Sequence, residues 1–267
     1  MRLKLNLLPI NSSHLNVNYN YSISAAIYKL LRFSSKEFSE YLHDVGFHIQ
    51  GKSYKLFSFA LRFGAFVKIN KNKIILGSKS IDLIISSPLV DDFIKNFVFG
   101  SIENSRIELV TENVKTVFNI QSIESLPEPN FQQINKFKLL SPLVLSTGVK
   151  ENDKLKQKFL RTDNDKDELT KIFNNNLFNK YKIITGKEYS GKPLLFEWDS
   201  EYIERRLKEN KRVTKKVSVI KDKYEPIDII GNVVPFTLTG NKELIKVGYY
   251  CGFGEKNSLG FGLAELD

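Results

Sequence analysis

Cysteine is almost absent from this 267-residue chain: Cys251 stands alone, so no intrachain disulfide can form. Histidine is nearly as scarce, with three residues, and one thiol beside three imidazoles makes no zinc-binding constellation. Neither a metal nor another cofactor is therefore expected. Long apolar runs are missing as well. A membrane-spanning helix needs roughly 18–20 uninterrupted apolar residues, and here Lys, Asn or Asp breaks every candidate. Met1–Ile10 is too short and too regularly alternating for the apolar region of a secretion signal. These absences together lead us to expect a cytoplasmic protein without membrane contact.

What remains is ordinary for a folded chain. Apolar residues make up 42% and charged residues 26%, enough burial to offset chain entropy. The length fits one large domain or two modules. Forty basic against thirty acidic side chains leave a formal charge of +10, which favours a polyanionic partner without naming it. The excess is densest from Arg205 to Lys223, where Arg205, Arg206, Lys208, Lys211, Arg212, Lys215, Lys216, Lys221 and Lys223 face only Glu209 and Asp222. Such a run repels itself unless water screens it or an anion lies nearby. Interleaved Val213, Val217, Val219 and Tyr224 suggest a strand, hence a basic ribbon.

Periodicity supplies an α+β order. Arg2–Pro9 alternates Leu3, Leu5 and Leu7 with Arg2, Lys4 and Asn6, the period of a half-buried strand. Ile23, Ile27, Leu30 and Leu31 fall at helical spacing, and Ser34 with Glu37 reads as a capping box opening a second helix through Phe38, Tyr41, Leu42 and Val45. Tyr54–Phe63 is strand-like, Val67–Ile69 and Ile74–Leu76 flank a hairpin turn, Asp82–Ser86 is a short strand, Leu89–Phe99 is helical after Pro88, and Arg106–Val114 is extended. Glu124–Gln133, with Pro127 and Pro129, lacks periodicity and marks a boundary, so that 1–123 and 124–267 are expected as separate modules. In the second, Asp165–Lys180 and Asn241–Tyr249 read as helices. Pro193–Trp198, Arg212–Ile220 and Asp228–Leu238 read as strands.

The most specific motif is Gly252-Phe253-Gly254-Glu255-Lys256-Asn257-Ser258-Leu259-Gly260-Phe261-Gly262. Glycine permits positive φ and close approach of a polyanion to main-chain N–H groups, and Lys256, Asn257 and Ser258 add donors. A dinucleotide fingerprint would need glycine where Asn257 stands and a βαβ unit afterwards. A phosphate loop would need Lys-Ser or Lys-Thr after Gly260, where Phe261 and Gly262 follow. The alternative is a tight turn with glycines packed under aromatic rings.

This loop, lying behind Lys246-Val247-Gly248-Tyr249, resembles the glycine-rich signature of the Cas-six family, CRISPR-associated endoribonucleases that cut repeat transcripts. The resemblance extends to Tyr19-Asn20-Tyr21, Ile27-Tyr28, Tyr41-Leu42-His43-Asp44, Lys55-Leu56-Phe57-Ser58-Phe59 and Leu140-Ser141-Pro142, in family order over most of the chain. It implies two tandem ferredoxin-like, RNA-recognition-type modules with the glycine-rich loop near RNA between them. It also implies metal-free cleavage of CRISPR repeat RNA into guide RNAs, leaving a 2′,3′-cyclic phosphate and a 5′-hydroxyl. Other Cas proteins of an interference complex and a second copy of the chain are further partners it allows.

Metal-free cleavage needs a base at the 2′-hydroxyl, an acid at the 5′-oxygen and a cation beside the phosphorane. The family's tyrosine, histidine and lysine match Tyr28, His43 and Lys55, with His43 as acid, Tyr28 as base or hydrogen-bond partner of the 2′-oxygen, and Lys55 as stabiliser. On a helical wheel Tyr28 and His43 both lie off the apolar stripes of their helices, as residues outside the core would. His48 is a rival acid and Lys52 a rival to Lys55, whereas His14 has no evident role. RNA contacts are expected from Gly252, Gly254, Lys256, Asn257, Ser258, Gly260 and Gly262, and from Arg205, Arg206, Lys211, Arg212, Lys215 and Lys216. Two rivals share these features: a homologue that holds repeat RNA without cutting it, and a general RNA-binding protein in which the glycine loop is coincidental.

Overall fold

The computed structural model describes residues 1–10, 14–64, 67–76, 79–111, 114–151, 154–219 and 226–267. In the first half, β1 (Arg2–Pro9) and β2 (His14–Asn16) precede α1 (Asn20–Ser34) and the short α2 (Lys36–Glu40), which widens into a π-type turn over Tyr41–Val45. There follow β3 (Phe47–Ile49), β4 (Lys52–Tyr54), β5 (Ser58–Arg62), β6 (Lys68–Asn70), β7 (Lys73–Ile75), β8 (Ile81–Ser86), α3 (Lys95–Glu103, entered through a π-type turn at Val90–Ile94), β9 (Arg106–Thr111) and β10 (Val114–Leu126).

Five of these strands form one antiparallel sheet in the order β5-β8-β1-β10-β9. The alternation in β1 does its expected work, since Leu3, Leu5 and Leu7 are buried against Ile23, Ile27, Leu30 and Leu31 of α1 and Phe93 and Phe97 at α3. α1 and α3 cross so closely that a Cβ on Gly100 would stand 1.9 Å from the carbonyl oxygen of Leu30.

The second half contains β11 (Ile134–Leu139), a hairpin of β12 (Ser146–Glu151) and β13 (Lys154–Phe159), α4 (Lys166–Thr185), β14 (Leu195–Trp198), α5 (Ser200–Lys208), a hairpin of β15 (Thr214–Val219) and β16 (Ile227–Asn232), β17 (Phe236–Thr239), α6 (Lys242–Cys251) and β18 (Ala264–Leu266). Its antiparallel sheet runs β14-β17-β11-β18. Stacked aromatics fill its core, where Phe137, Phe173, Phe196, Phe236 and Phe253 are all fully buried. Both sheets place their first strand between their third and fourth, with β9 added outside β10 in the first.

The α+β order is as expected, with local differences. The cap of the second helix is Ser35, whose hydroxyl accepts from the Phe38 N–H, while Ser34 turns away to donate to Asn96. Tyr54–Phe63 is not one strand, because Leu56 at φ +53° separates β4 from β5. Asp228–Leu238 is also two strands in different sheets, broken before Pro235, which has no N–H to give a ladder. The basic run is not a single ribbon: Arg205, Arg206 and Lys208 belong to α5, which Asp199 caps, and only Lys215 and Lys216 lie on a strand. Lys221, Asp222, Lys223 and Tyr224 lie outside the described residues. β10 continues through Leu126, so the aperiodic stretch begins later than Glu124. The β12–β13 hairpin and α5 were not legible from periodicity.

The halves meet along a seam with apolar patches, where Ala60 and Ile84 pack with Leu263 and Tyr54 and Leu56 with Cys251, and with polar contacts between them. The Arg2 guanidinium, nearly fully buried, donates to the carbonyl of Tyr249 at 2.6 Å and lies 3.3 Å over that ring's centroid. Burial pushes its pKa down to about 10. Ser58 donates to the Phe261 carbonyl at 2.9 Å and Asn20 to that of Leu259 at 2.8 Å. Gly100→Ala must push α1 and α3 apart, and we expect it to lower the unfolding free energy by roughly 1–3 kcal/mol in urea denaturation; a midpoint matching wild type would contradict the close crossing.

Candidate functional site

α6 ends at Cys251, and the chain then folds back on itself as the glycine-rich loop. Phe253 is buried in the aromatic core and Phe261 against Val144, Val217 and Ile229. The loop closes where the Phe253 N–H donates to the Gly262 carbonyl at 2.7 Å. Gly262 sits at φ +73°, and a Cβ there would lie 1.8 Å from the Phe253 carbonyl oxygen, so no other residue fits.

The centre of the loop is Lys180, a residue that sequence reasoning passed over. It is 1% exposed, and its ammonium donates to the carbonyls of Gly252 at 2.8 Å and Gly254 at 2.7 Å and to Oδ1 of Asn257 at 2.8 Å. The amide of Asn257 in turn donates to the carbonyls of Phe253 and Phe261 at 3.1 and 3.0 Å. Asn257 therefore holds the loop together from inside, and Lys256 and Ser258 are the donors it carries beside a neighbouring cleft. The signal for Lys180 was present: it continues the buried stripe of Phe173 and Leu177 on α4, an unusual place for a lysine. Desolvation pushes its pKa down to about 8.

The cleft beside the loop has a volume of about 510 Å³. Lys52, Tyr54 and Lys55 line it from the first half, the β12–β13 hairpin contributes Ser146, Lys156 and Gln157, and the loop contributes Glu255 to Leu259. Its one carboxylate, Glu255, pairs with Lys52 at 3.0 Å and accepts a short hydrogen bond from Ser146. The hydrogen bond and attraction to Glu255 raise the Lys52 pKa against the opposing desolvation.

Lys55, in the link after β4, lines this cleft, and Tyr28 of α1 and His43 of the π-type turn gather beside it. The Tyr28 and His43 rings meet edge to face with centroids 5.0 Å apart. The Lys55 ammonium donates to the His43 carbonyl at 2.8 Å, closing the π-type turn over the hairpin. Nδ1 of His43 lies 2.6 Å from Oδ1 of Asp44, and the imidazole is 62% exposed. Burial pushes the Lys55 pKa down, with Asp44 opposing.

Tyr28 is less peripheral than its wheel position implies, being half-buried with its ring 5.6 Å from that of Phe57. Desolvation raises its phenol pKa, partly offset by a hydrogen bond with the Ser258 side chain. That bond joins the glycine-rich loop to the cluster.

The rival residues lie close by but are used differently. His48 is exposed on β3 opposite Ser53, and Lys52 is committed to Glu255. The basic segment does not line the cleft. Arg205 and Arg206 lie over Tyr202, Lys211 pairs with Glu209 and Lys216 with Asp228, Arg212 is exposed, and Lys215 lines a separate small cavity with Asn20, Phe59 and Gly260. Among the described residues, no three His, Cys, Asp or Glu side chains gather into a group able to hold a metal ion, and no helix is long and apolar enough to cross a membrane.

Comparison with known proteins places the whole chain beside one group of relatives. Residues 14–121 match the family model for the CRISPR-associated protein Cas6, N-terminal, and residues 126–266 the model for its C-terminal part. The chain is 30% identical to the CRISPR-associated endoribonuclease Cas6 1 of Methanocaldococcus jannaschii, over 98% of this chain and 91% of that protein. It is 27% identical to the CRISPR-associated endoribonuclease Cas6 of Pyrococcus furiosus, over 100% and 90% respectively. The solved structure of a Cas6-related gene product from Pyrococcus furiosus superposes with a TM-score of 0.81 at 24% identity, covering 100% of this chain and 98% of that one, which shows a common fold.

Lys180 offers a thermodynamic test. Below pH 8 folded and unfolded chains both hold its proton. Between about 8 and 10.5 the folded chain has released it while the unfolded chain keeps it, so the stability contributed by this residue rises with pH through that window. The unfolding free energy of wild type minus that of Lys180→Met should therefore grow by up to about 3 kcal/mol from pH 8 to 10.5. A difference independent of pH would mean that the ammonium is not buried as described.

Proposed function

Because the chain belongs to the Cas6 family of CRISPR-associated proteins, we propose that it is an endoribonuclease that binds CRISPR repeat RNA in the cleft and cuts it without a metal ion, leaving a 2′,3′-cyclic phosphate and a 5′-hydroxyl. The observation carrying this reading is the convergence of Tyr28, His43 and Lys55, which are 15 and 12 residues apart in sequence, beside a loop that touches Tyr28 through Ser258. Each half is a ferredoxin-like module in this account, the boundary falling near residue 124, and the matching strand orders of the two sheets support that description.

The roles follow from the environments. Asp44 engages Nδ1 of His43 and so orients the ring, which leaves Nε2 to carry the proton to the departing 5′-oxygen. Tyr28, whose phenol is held protonated by burial, serves the 2′-oxygen as a hydrogen-bond partner better than as a base. Lys55, tied at the carbonyl of His43, places a positive charge beside the phosphorane. Lys256 and the loop main chain, with Gly252, Gly254, Gly260 and Gly262 setting its shape, hold neighbouring phosphates. The outlying Arg205, Arg206, Lys211, Arg212, Lys215 and Lys216 attract the strand at longer range.

His43→Ala should lower single-turnover cleavage of the host's own repeat RNA in excess EDTA by about 10²–10⁴-fold while leaving affinity within about twofold. End mapping of the wild-type products should give one cut with a cyclic phosphate. Tight binding by wild type with no cut would instead favour the non-cleaving reading, and full activity in His43→Ala would move the acid to His48.

A further inference from the structure

The widened turn that carries His43 ends at Gly46. The Gly46 N–H donates to the Tyr41 carbonyl at 2.7 Å, the five-residue reach that makes the turn π-type. Its backbone lies at φ +67° and ψ −163°, a region open essentially to glycine alone. Backbone of that kind persists only where its surroundings enforce it, and what lies against Gly46 is Lys55.

A Cβ on Gly46 would stand 2.8 Å from Cδ of Lys55, from its Nζ and from the carbonyl oxygen of Tyr54. The lysine stem therefore runs across the bare Cα of Gly46 to reach the His43 carbonyl, three residues earlier in the turn, at 2.8 Å. An added methyl would not strain its neighbours equally. The Tyr54 oxygen belongs to β4, whose main chain pairs with β3 at Phe47, whereas the Lys55 ammonium ends a flexible stem and is the group that would move. A second tie holds the same turn from the hairpin, since Ser53 Oγ donates to the Val45 carbonyl at 2.9 Å. Gly51, at the tip of the hairpin, makes an internal comparison. It too has a positive φ, +73°, but among the described residues a Cβ there would meet nothing within 4 Å.

We propose that Gly46 and Ser53 are positioning residues for cleavage that act through Lys55. Gly46 leaves the space in which the stem lies, Ser53 holds the hairpin against the turn, and together they fix the ammonium beside the phosphate to be cut. A cation stabilises a phosphorane only where the charge develops, and a misplacement of about 1 Å can forfeit much of the effect. The inference rests on the reading that Lys55 performs that role.

The test compares single-turnover cleavage of the host's repeat RNA, and affinity for it, in Gly46→Ala, Ser53→Ala, Lys55→Met and the two double variants that carry Lys55→Met. Lys55→Met should cut about 10²–10³-fold more slowly than wild type. Gly46→Ala should cut about 10- to 100-fold more slowly and Ser53→Ala about fivefold, each with an affinity within about twofold of wild type. In a chain that already carries Lys55→Met, neither should slow cleavage by more than about twofold, because the group through which it acts is gone. Ser53→Thr, which restores the hydroxyl, should recover the wild-type rate, and Gly51→Ala, strained without touching Lys55, should keep it. Should Gly46→Ala fail to fold, Ser53→Ala and its rescue by threonine carry the test. A folded Gly46→Ala or a Ser53→Ala that cuts at the wild-type rate would overturn the positioning role while leaving the nuclease reading intact. So would losses that multiply with that of Lys55→Met, as a general weakening of the fold would make them. Full activity in Lys55→Met would remove the role given to Lys55 and this inference with it, and wild type that binds the RNA without cutting it would overturn the nuclease reading as well.

Discussion

One buried ammonium organises the functional end of this molecule. Lys180 gives its hydrogen bonds to the glycine-rich loop, where the carbonyls of Gly252 and Gly254 and the Asn257 side chain accept them and Glu255 attracts the ammonium without bonding to it. Burying such a charge is expensive unless every proton is accepted, so loop and lysine must form as a unit. Once formed, the loop has little freedom. Phe253 and Phe261 are locked into separate cores, Gly262 touches the Phe253 carbonyl, and Ser258 is delivered to the hydroxyl of Tyr28 in the other half.

The division of labour follows from that constraint. The first half supplies the groups suited to proton transfer and charge stabilisation, positioned by a π-type turn and a hairpin. The second supplies a rigid loop and the wall of the cleft. The contact between them is fixed by hydrogen bonds from Asn20 and Ser58 to the loop's carbonyls and by Arg2 stacked on Tyr249. The described part of the basic segment stands apart from the cleft, with part of its charge neutralised by Glu209 and Asp228, and under the proposed function it contributes a diffuse attractive field.

The sequence was legible where a local rule acted alone. The alternation of β1, the stripe of α1 and the apolar positions of α4 each placed a buried face correctly because the packing partner only had to be apolar. It misled where main-chain geometry intervened: a positive φ at Leu56 and the proline at 235 divided runs that looked continuous. The basic run from Arg205 looked like a ribbon because valines alternate in its second part, while an aspartate cap at Asp199 starts a helix in its first. Tyr28, His43 and Lys55 could be nominated from family position, but their mutual contact could not, since it depends on a widened turn with no sequence signature. Lys180 was passed over for a different reason. Its place on the apolar stripe of α4 was readable, but a lysine there violates the pattern by which helices are read, and such a violation acquires meaning only when its surroundings are known.

The central claim is that the phosphate to be cut lies between the Tyr28–His43–Lys55 cluster and the glycine-rich loop. The most direct measurement is a crystal structure of the complex with a repeat RNA carrying a single 2′-deoxy substitution at the cut, which blocks attack while preserving the strand. Density placing that phosphate within hydrogen-bonding reach of Lys55, with the 5′-oxygen facing His43 and the strand running over Ser258, is the result the account predicts. A phosphate seated instead on the α5–β15 basic face, or beside His48 alone, would contradict it.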